Sequence, residues 1–164
     1  MWLVPVLAAL VFAADQLSKA WVLARLDAAD PVILVPGLFQ LVLVRNPGVA
    51  FGIFAGVPAG WRWVVTVFSL TALALLGSVA LRMLPRGSLL ARIAVGCVFG
   101  GAVGNLLDRW RFGAVVDFLD VFWGPYHWPA FNVADSAITV GVCVLAIELA
   151  LGRDGVPRRD AAGA

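Results

Sequence analysis

Apolar residues in this chain gather in four long runs separated by two mixed stretches. The runs extend from Trp2 to Leu26, from about Trp61 to Leu84, from about Leu90 to Leu107, and from about Val133 to Leu151. Roughly 20 consecutive apolar residues carry a helix across a bilayer, so each run predicts a membrane span, the third rather short. The first is interrupted by Asp15, Gln16, Ser18 and Lys19. Its opening has the outline of a secretory leader, with Phe12-Ala13-Ala14 as a cleavage-like site. No positive charge precedes the apolar part and a polar cluster follows it, which favours a retained span.

The stretch from Asp27 to Gly60 holds Pro31, Pro36, Pro47 and Pro58. It also holds the β-favouring runs Val32-Ile33-Leu34-Val35 and Phe39-Gln40-Leu41-Val42-Leu43-Val44. These predict a small strand-rich platform at the membrane surface. The stretch from Trp110 to Phe131 carries Trp110, Trp123, Tyr126 and Trp128, rings suited to the headgroup layer. The expected architecture is an all-α membrane protein of four transmembrane helices, with a β-rich extracytoplasmic platform (27–60) and a second extracytoplasmic loop or helix (110–131). Residues 1–152 form one membrane domain and residues 153–164 a cytoplasmic tail. Arg82, Arg86 and Arg92 flank a short acid-free connection, and Arg153, Arg158 and Arg159 lie in the tail. The positive-inside rule puts these and both termini in the cytoplasm, against the opposing pull of Arg25, Arg45, Arg62, Arg109 and Arg111.

Composition reinforces this reading. Hydrophobic residues make up 62% of the 164 residues and charged residues 13%, while mean hydropathy is +0.97. Too few charges exist to coat a water-soluble globule, and the apolar excess excludes disorder. A net charge of +2, with no basic run before the tail, leaves no footprint for nucleic acid. Cys97 and Cys143 both lie inside apolar runs and suggest neither a disulfide framework nor a zinc site.

Against that apolar background the polar positions stand out. Asp15 and Lys19, four apart, share a helix face with the acid N-terminal, the better order for an ion pair. An ionisable residue costs on the order of 2.5–3.5 kcal/mol at the centre of a span, so a self-neutralising pair and a functional pair are both open readings. Gly96, Gly100 and Gly104 form a stripe that lets helix backbones approach closely. A neighbouring face carries Gly101, Asn105 and Asp108, with Arg109 one turn beyond Asn105. Asp117 and Asp135 are separated by a hairpin-like stretch that can bring them together. Asp120 is expected to be solvated, and Glu148 to sit at the inner interface. His127 has no second histidine or cysteine beside it, so no metal is expected. No serine has the G-x-S-x-G context of a hydrolase nucleophile.

Two aspartates sharing a site cannot both ionise comfortably, so one keeps a proton. The charged one can act as general base on a water while the protonated one polarises a peptide carbonyl. That chemistry needs no cofactor and fits proteolysis at a membrane surface. Intramembrane acids also build proton relays, which leaves a small transporter or assembly factor as the alternative.

Five blocks, in order, resemble the lipoprotein signal peptidase (signal peptidase II) family. They are Asp15-Gln16-Leu17-Ser18-Lys19, Asn46-Pro47-Gly48-Val49-Ala50-Phe51-Gly52, Gly100 through Arg109, Val115-Val116-Asp117-Phe118, and Phe131-Asn132-Val133-Ala134-Asp135-Ser136. The resemblance implies an aspartic endopeptidase of the bacterial cytoplasmic (inner) membrane, active at its outer face and without cofactor. Its substrates would be prolipoproteins bearing a diacylglyceryl cysteine, cut just before that cysteine. It makes Asp117 and Asp135 the catalytic pair. It puts Asn46, Asn105, Arg109 and Asn132 in the substrate site, with Asp15, Lys19 and Asp108 supporting them. Membrane lipids are the expected surroundings, no nucleic acid is bound, and a monomer is the favoured state.

The charge pattern yields a topological prediction. In a background lacking Cys97 and Cys143, an impermeant thiol probe should label a cysteine placed at Asp30 but not one placed at Arg86. The reverse labelling would invert the orientation.

Overall fold

The computed structural model describes residues 2–48, 62–83 and 88–151. The second half of the platform, the connection at 84–87 and the tail 153–164 lie outside the described residues. So do Val49-Ala50-Phe51-Gly52 of the second motif. Four helices and four strands follow one another as α1 (Leu3–Arg25), β1 (Val32–Val35), β2 (Phe39–Asn46), α2 (Arg62–Met83), α3 (Leu89–Phe112), β3 (Val115–Trp123), β4 (Tyr126–His127) and α4 (Val133–Ala150). The helices coincide closely with the apolar runs. By length and composition, α1, α3 and α4 are each sufficient to cross a membrane, whereas the qualifying apolar run described within α2 is the shorter Thr66–Ser78.

The burial pattern of α1 is that of a helix solvated by lipid. Its buried residues are Asp15, Lys19 and Val22, while Leu10, Leu17 and Trp21 are exposed. Polar groups without water must find partners inside the protein, so they turn inward and the apolar side chains face out.

Helix α3 is central, with α1 on one side and α4 on another. The glycine stripe makes the first contact. A Cβ at Gly100 would stand 2.5 Å from the Ala8 carbonyl oxygen, and one at Gly104 would stand 2.5 Å from Asp15 Oδ2. Gly101 serves α4 in the same way, with the Ala134 carbonyl 2.5 Å from its ideal Cβ position. Small residues permit this approach where dispersion between helices, and not water exclusion, drives association. Helix α3 runs five residues past the expected end at Leu107. Asp108, Arg109 and Arg111 lower hydropathy but do not oppose helix at the end of a span. Gly113, at φ +69°, stops the helix, and its N–H donates to the Arg109 carbonyl at 2.9 Å.

The strands form one antiparallel sheet in the order β1-β2-β3-β4. This corrects the second extracytoplasmic segment, expected as a loop or helix. Its residues 115–123 and 126–127 are strands, and β3 pairs with β2 of the platform. Val44 lies opposite Asp117 and Asn46 opposite Val115, with an irregularity between Leu41 and Val44. After β4 the chain stays beside β3. Trp128 N–H donates to the Val121 carbonyl at 2.8 Å, and Phe131 N–H to the Leu119 carbonyl at 3.0 Å. The next residue, Asn132, caps α4.

At the opposite end of the bundle, Ser88 caps α3 by accepting from Ala91 N–H at 3.0 Å. Its hydroxyl donates to Glu148 of α4. Glu148 is buried there against another helix.

The close contact at Gly104 gives a stability prediction. Gly104→Ala should destabilise the purified protein by about 1–3 kcal/mol, the usual cost of overpacking, because its methyl meets a carboxylate already fixed by other bonds. Thermal unfolding in detergent measures it.

Candidate active site

The site is built where α1, α3, β2, β3 and the start of α4 meet. Lys19 of α1 is buried and donates all three of its N–H groups. It reaches Asp15 Oδ2 and Asp108 Oδ2, both at 2.8 Å, and Asn105 Oδ1 at 2.9 Å. The two carboxylates carry the contact outward. Asp15 Oδ1 accepts from Ala134 N–H in the first turn of α4 at 3.0 Å. Asp108 Oδ2 accepts from Val116 N–H of β3 at 3.1 Å. Gln16, quoted in the first motif but given no role from sequence, donates to Asp15 Oδ2 and Asp108 Oδ1, each at 3.1 Å. Its place beside Asp15 in that motif was the signal available.

Asp135 is the third residue of α4 and belongs to a capping box. Its backbone N–H donates to Asn132 Oδ1 at 2.8 Å, and its Oδ2 accepts from Asn132 N–H at 3.3 Å. Such a box satisfies helix N–H groups that would otherwise be orphaned, and it fixes the side chains at both ends. Asp135 Oδ1 then accepts from Asn105 Nδ2 at 2.8 Å. Asp117, on the central strand, accepts from Asn132 Nδ2 at 2.7 Å and from Asn46 Nδ2 at 3.0 Å. Asn132 is thus bonded to both carboxyl groups.

Asp117 and Asp135 line one cavity of about 650 Å³, together with Asn46, Asn105 and Arg109. Its remaining wall is mostly apolar, from α2, α3, α4 and the segment Trp128–Phe131. Arg109 donates to the Asn105 carbonyl at 3.2 Å and to the Gly48 carbonyl at 3.0 Å, which ties α3 to the platform. Asn132, expected among the substrate-contacting residues, is absent from this lining. It is fully buried behind the carboxyl pair, where its amide bonds Asp117, Asn105 and the Val116 carbonyl. Among the described residues no group of three or more His, Cys, Asp or Glu side chains is placed to hold a metal ion.

Burial, and next to it the charge of Asp135, push the Asp117 carboxyl up to about 7. Hydrogen bonds from Asn46 and Asn132 and the charge of Lys19 oppose the rise. At pH near 7 Asp117 is therefore protonated in about half of the molecules, so it can serve as a carboxylic acid at that pH.

Asp120 departs from expectation. It is buried, not solvated, because β3 has partners on both sides. Its Oδ2 accepts from Gln40 Nε2 at 2.7 Å and pairs with His127 Nδ1 at 2.8 Å.

The family model described as signal peptidase (SPase) II matches residues 7–151. A lipoprotein signal peptidase of Syntrophotalea carbinolica is 49% identical over 92% of this chain and 91% of its own length. One from Shewanella loihica is 47% identical over 85% of this chain and 81% of its own. A solved structure described as a bacterial membrane enzyme is 29% identical, with a TM-score of 0.70 over 97% of this chain and 93% of that chain.

The hydrogen bond from Asn46 favours the ionised form of Asp117, so its removal raises the pH at which the proton is lost. The infrared carboxylic-acid band assigned by Asp117→Asn should disappear as pH rises through about 7. In Asn46→Leu that loss should move to higher pH. An unmoved or lowered transition would remove Asn46 from the control of Asp117.

Proposed function

The chain belongs to the signal peptidase II family, and we propose that it removes the signal peptide from diacylglyceryl-modified prolipoproteins, cutting immediately before the lipidated cysteine. The observation that carries this reading is the carboxyl pair, Asp117 and Asp135, lining one apolar cavity at the junction of sheet and helices. The ionised member takes a proton from water, whose oxygen attacks the scissile carbonyl carbon. The protonated member donates to the carbonyl oxygen. Collapse of the tetrahedral intermediate breaks the C–N bond: the amine leaves with the proton first taken from water, and the proton on the former carbonyl oxygen returns to the aspartate that gave it. Asn46 and Asn132 orient Asp117, while Asn105 orients Asp135. Arg109 and Asn105, in the cavity wall, supply polar partners for substrate backbone that is otherwise costly to bury.

In this reading residues 1–152 are a four-span domain of the bacterial inner membrane, with the tail cytoplasmic. Both termini are inside and the carboxyl pair is at the outer face. The protein works as a monomer among membrane lipids and without cofactor. Two acyl chains on the substrate cysteine anchor it by about 0.8 kcal/mol per buried methylene. They hold the cysteine at headgroup depth, and such positioning supplies much of a rate enhancement. Family membership displaces the transporter or assembly-factor alternative, and Asp15 and Lys19 take a structural place in place of a relay.

Purified protein in bilayers should cleave a diacylglyceryl-modified prolipoprotein and leave the matched unmodified precursor largely intact. Equal cleavage of both would defeat the role of the lipid. Asp117→Asn and Asp135→Asn should each lower turnover by about 10²–10⁴-fold, the usual weight of acid–base catalysis, without loss of membrane insertion. Either variant turning over near the wild-type rate would take that residue out of the pair.

A further inference from the structure

The wall of the cavity that Asp117 and Asp135 line includes Trp128, Pro129, Ala130 and Phe131. Backbone bonds to β3 hold its two ends, Trp128 N–H to the Val121 carbonyl at 2.8 Å and Phe131 N–H to the Leu119 carbonyl at 3.0 Å, and leave Pro129 and Ala130 between them. Strand β4, which precedes it, has only two residues, and Pro129 has no N–H to offer. A side-chain fastening sits where the segment begins. His127 Nδ1 meets Asp120 Oδ2 at 2.8 Å, and Gln40 donates to the same oxygen at 2.7 Å. The His127 ring stacks on Phe122, with centroids 5.1 Å apart and planes at 12°. A buried carboxylate is costly unless it is bonded, so Asp120 holds both donors and links β2, β3 and β4 through one oxygen.

Asp120 lies three residues from Asp117 on the same strand, an odd interval that projects the two side chains to opposite faces. Asp120 is also not among the groups that shift the titration of Asp117. The cluster therefore meets the chemistry through the placement of chain and not through charge.

We propose that His127, clipped to Asp120, is a positioning residue for substrate: it sets the place of the Trp128–Phe131 wall and so the fit of the bound chain, without touching the carboxyl pair. This rests on the peptidase reading above. His127 is half-exposed, so its replacement leaves the helical core in place.

The test compares His127→Leu, which lacks the donor, with His127→Asn, whose Nδ2 takes the position of the imidazole Nδ1. Steady-state cleavage of a synthetic diacylglyceryl-modified prolipoprotein is followed in bilayers. His127→Leu should raise KM about tenfold, the fold-change expected for loss of one hydrogen bond to a charged group. Its kcat should stay within about twofold, with an unchanged pH profile of kcat, because the carboxyl pair keeps its partners. His127→Asn should bring KM back to within about twofold of wild type. An unmoved KM in His127→Leu, or a fall in kcat alone, overturns the proposal. So does a His127→Asn protein with the raised KM, and that comparison decides the matter even if His127→Leu does not fold. A wild type that leaves the lipidated substrate uncut overturns the peptidase reading and this inference together. A cutting wild type with an indifferent His127 overturns the inference alone.

Discussion

One buried ammonium group organises the site. Lys19 directs its three donors to Asp15, Asp108 and Asn105, and these acceptors continue into two further elements, α4 and β3. Asp15 holds the first turn of α4, Asp108 holds the start of β3, and Asn105 holds Asp135. Two carboxylates around one cation leave an excess negative charge, which further donors from Gln16 and the backbone help to stabilise. A buried ion pair of this kind adds little net stability over an apolar replacement, yet removal of one partner costs about 3–5 kcal/mol. Its contribution here is geometric. Few other interactions can join two helices, a strand and a helix start at a single point.

From that point the orientation of the asparagines follows. The cation claims Asn105 Oδ1, so the Nδ2 group of Asn105 is left for Asp135. The helix cap claims Asn132 Oδ1, so the Nδ2 group of Asn132 is left for Asp117. An asparagine amide free to flip would present either a donor or an acceptor to a carboxyl group, with opposite effects on its proton. In this chain neither amide is free. Lys19 and the α4 cap therefore act on the two carboxyl groups from behind, through neutral side chains, and the cavity face of the pair stays open to a substrate.

Much of this was legible in the sequence, and what was hidden has a common cause. Continuous apolar runs report helices directly, and intramembrane Asp15, Lys19 and Asn105 announce themselves by their cost. The pairing of β2 with β3 joins residues 69 to 82 positions apart and leaves no local trace, so residues 110–131 read as a loop or helix. The same hidden pairing buries Asp120, which in isolation reads as one more acidic residue in an extracytoplasmic segment. Asn132 was recognised through its motif, but only the packed structure puts it behind the carboxyl pair and not in the cavity wall. The polar end of α3 is missing from a hydropathy reading because a helix tolerates Asp and Arg at the membrane boundary while a hydropathy window does not.

The depth of the pair constrains how a substrate reaches it. Asn105 lies seven residues before the end of α3 at Phe112, about 10 Å inside that end at 1.5 Å rise per residue. A signal peptide crosses a membrane as a helix, and in a helix each carbonyl is already bonded to an N–H four residues on. Attack on one carbonyl requires local unwinding, and each backbone group so freed costs several kcal/mol in hydrocarbon unless it finds a partner. The polar residues of the cavity, Asn46, Asn105 and Arg109, gather beside the two carboxyl groups, while the rest of the lining is mostly apolar. In the proposed reading the cavity gives a helical substrate apolar contact over most of its wall and polar contact where the substrate's own hydrogen bonds have to open. On the proposed roles of Asp117 and Asp135, the cost of unwinding is lowest at the bond nearest them, and the position of the cut follows from the same polarity that holds the pair in place.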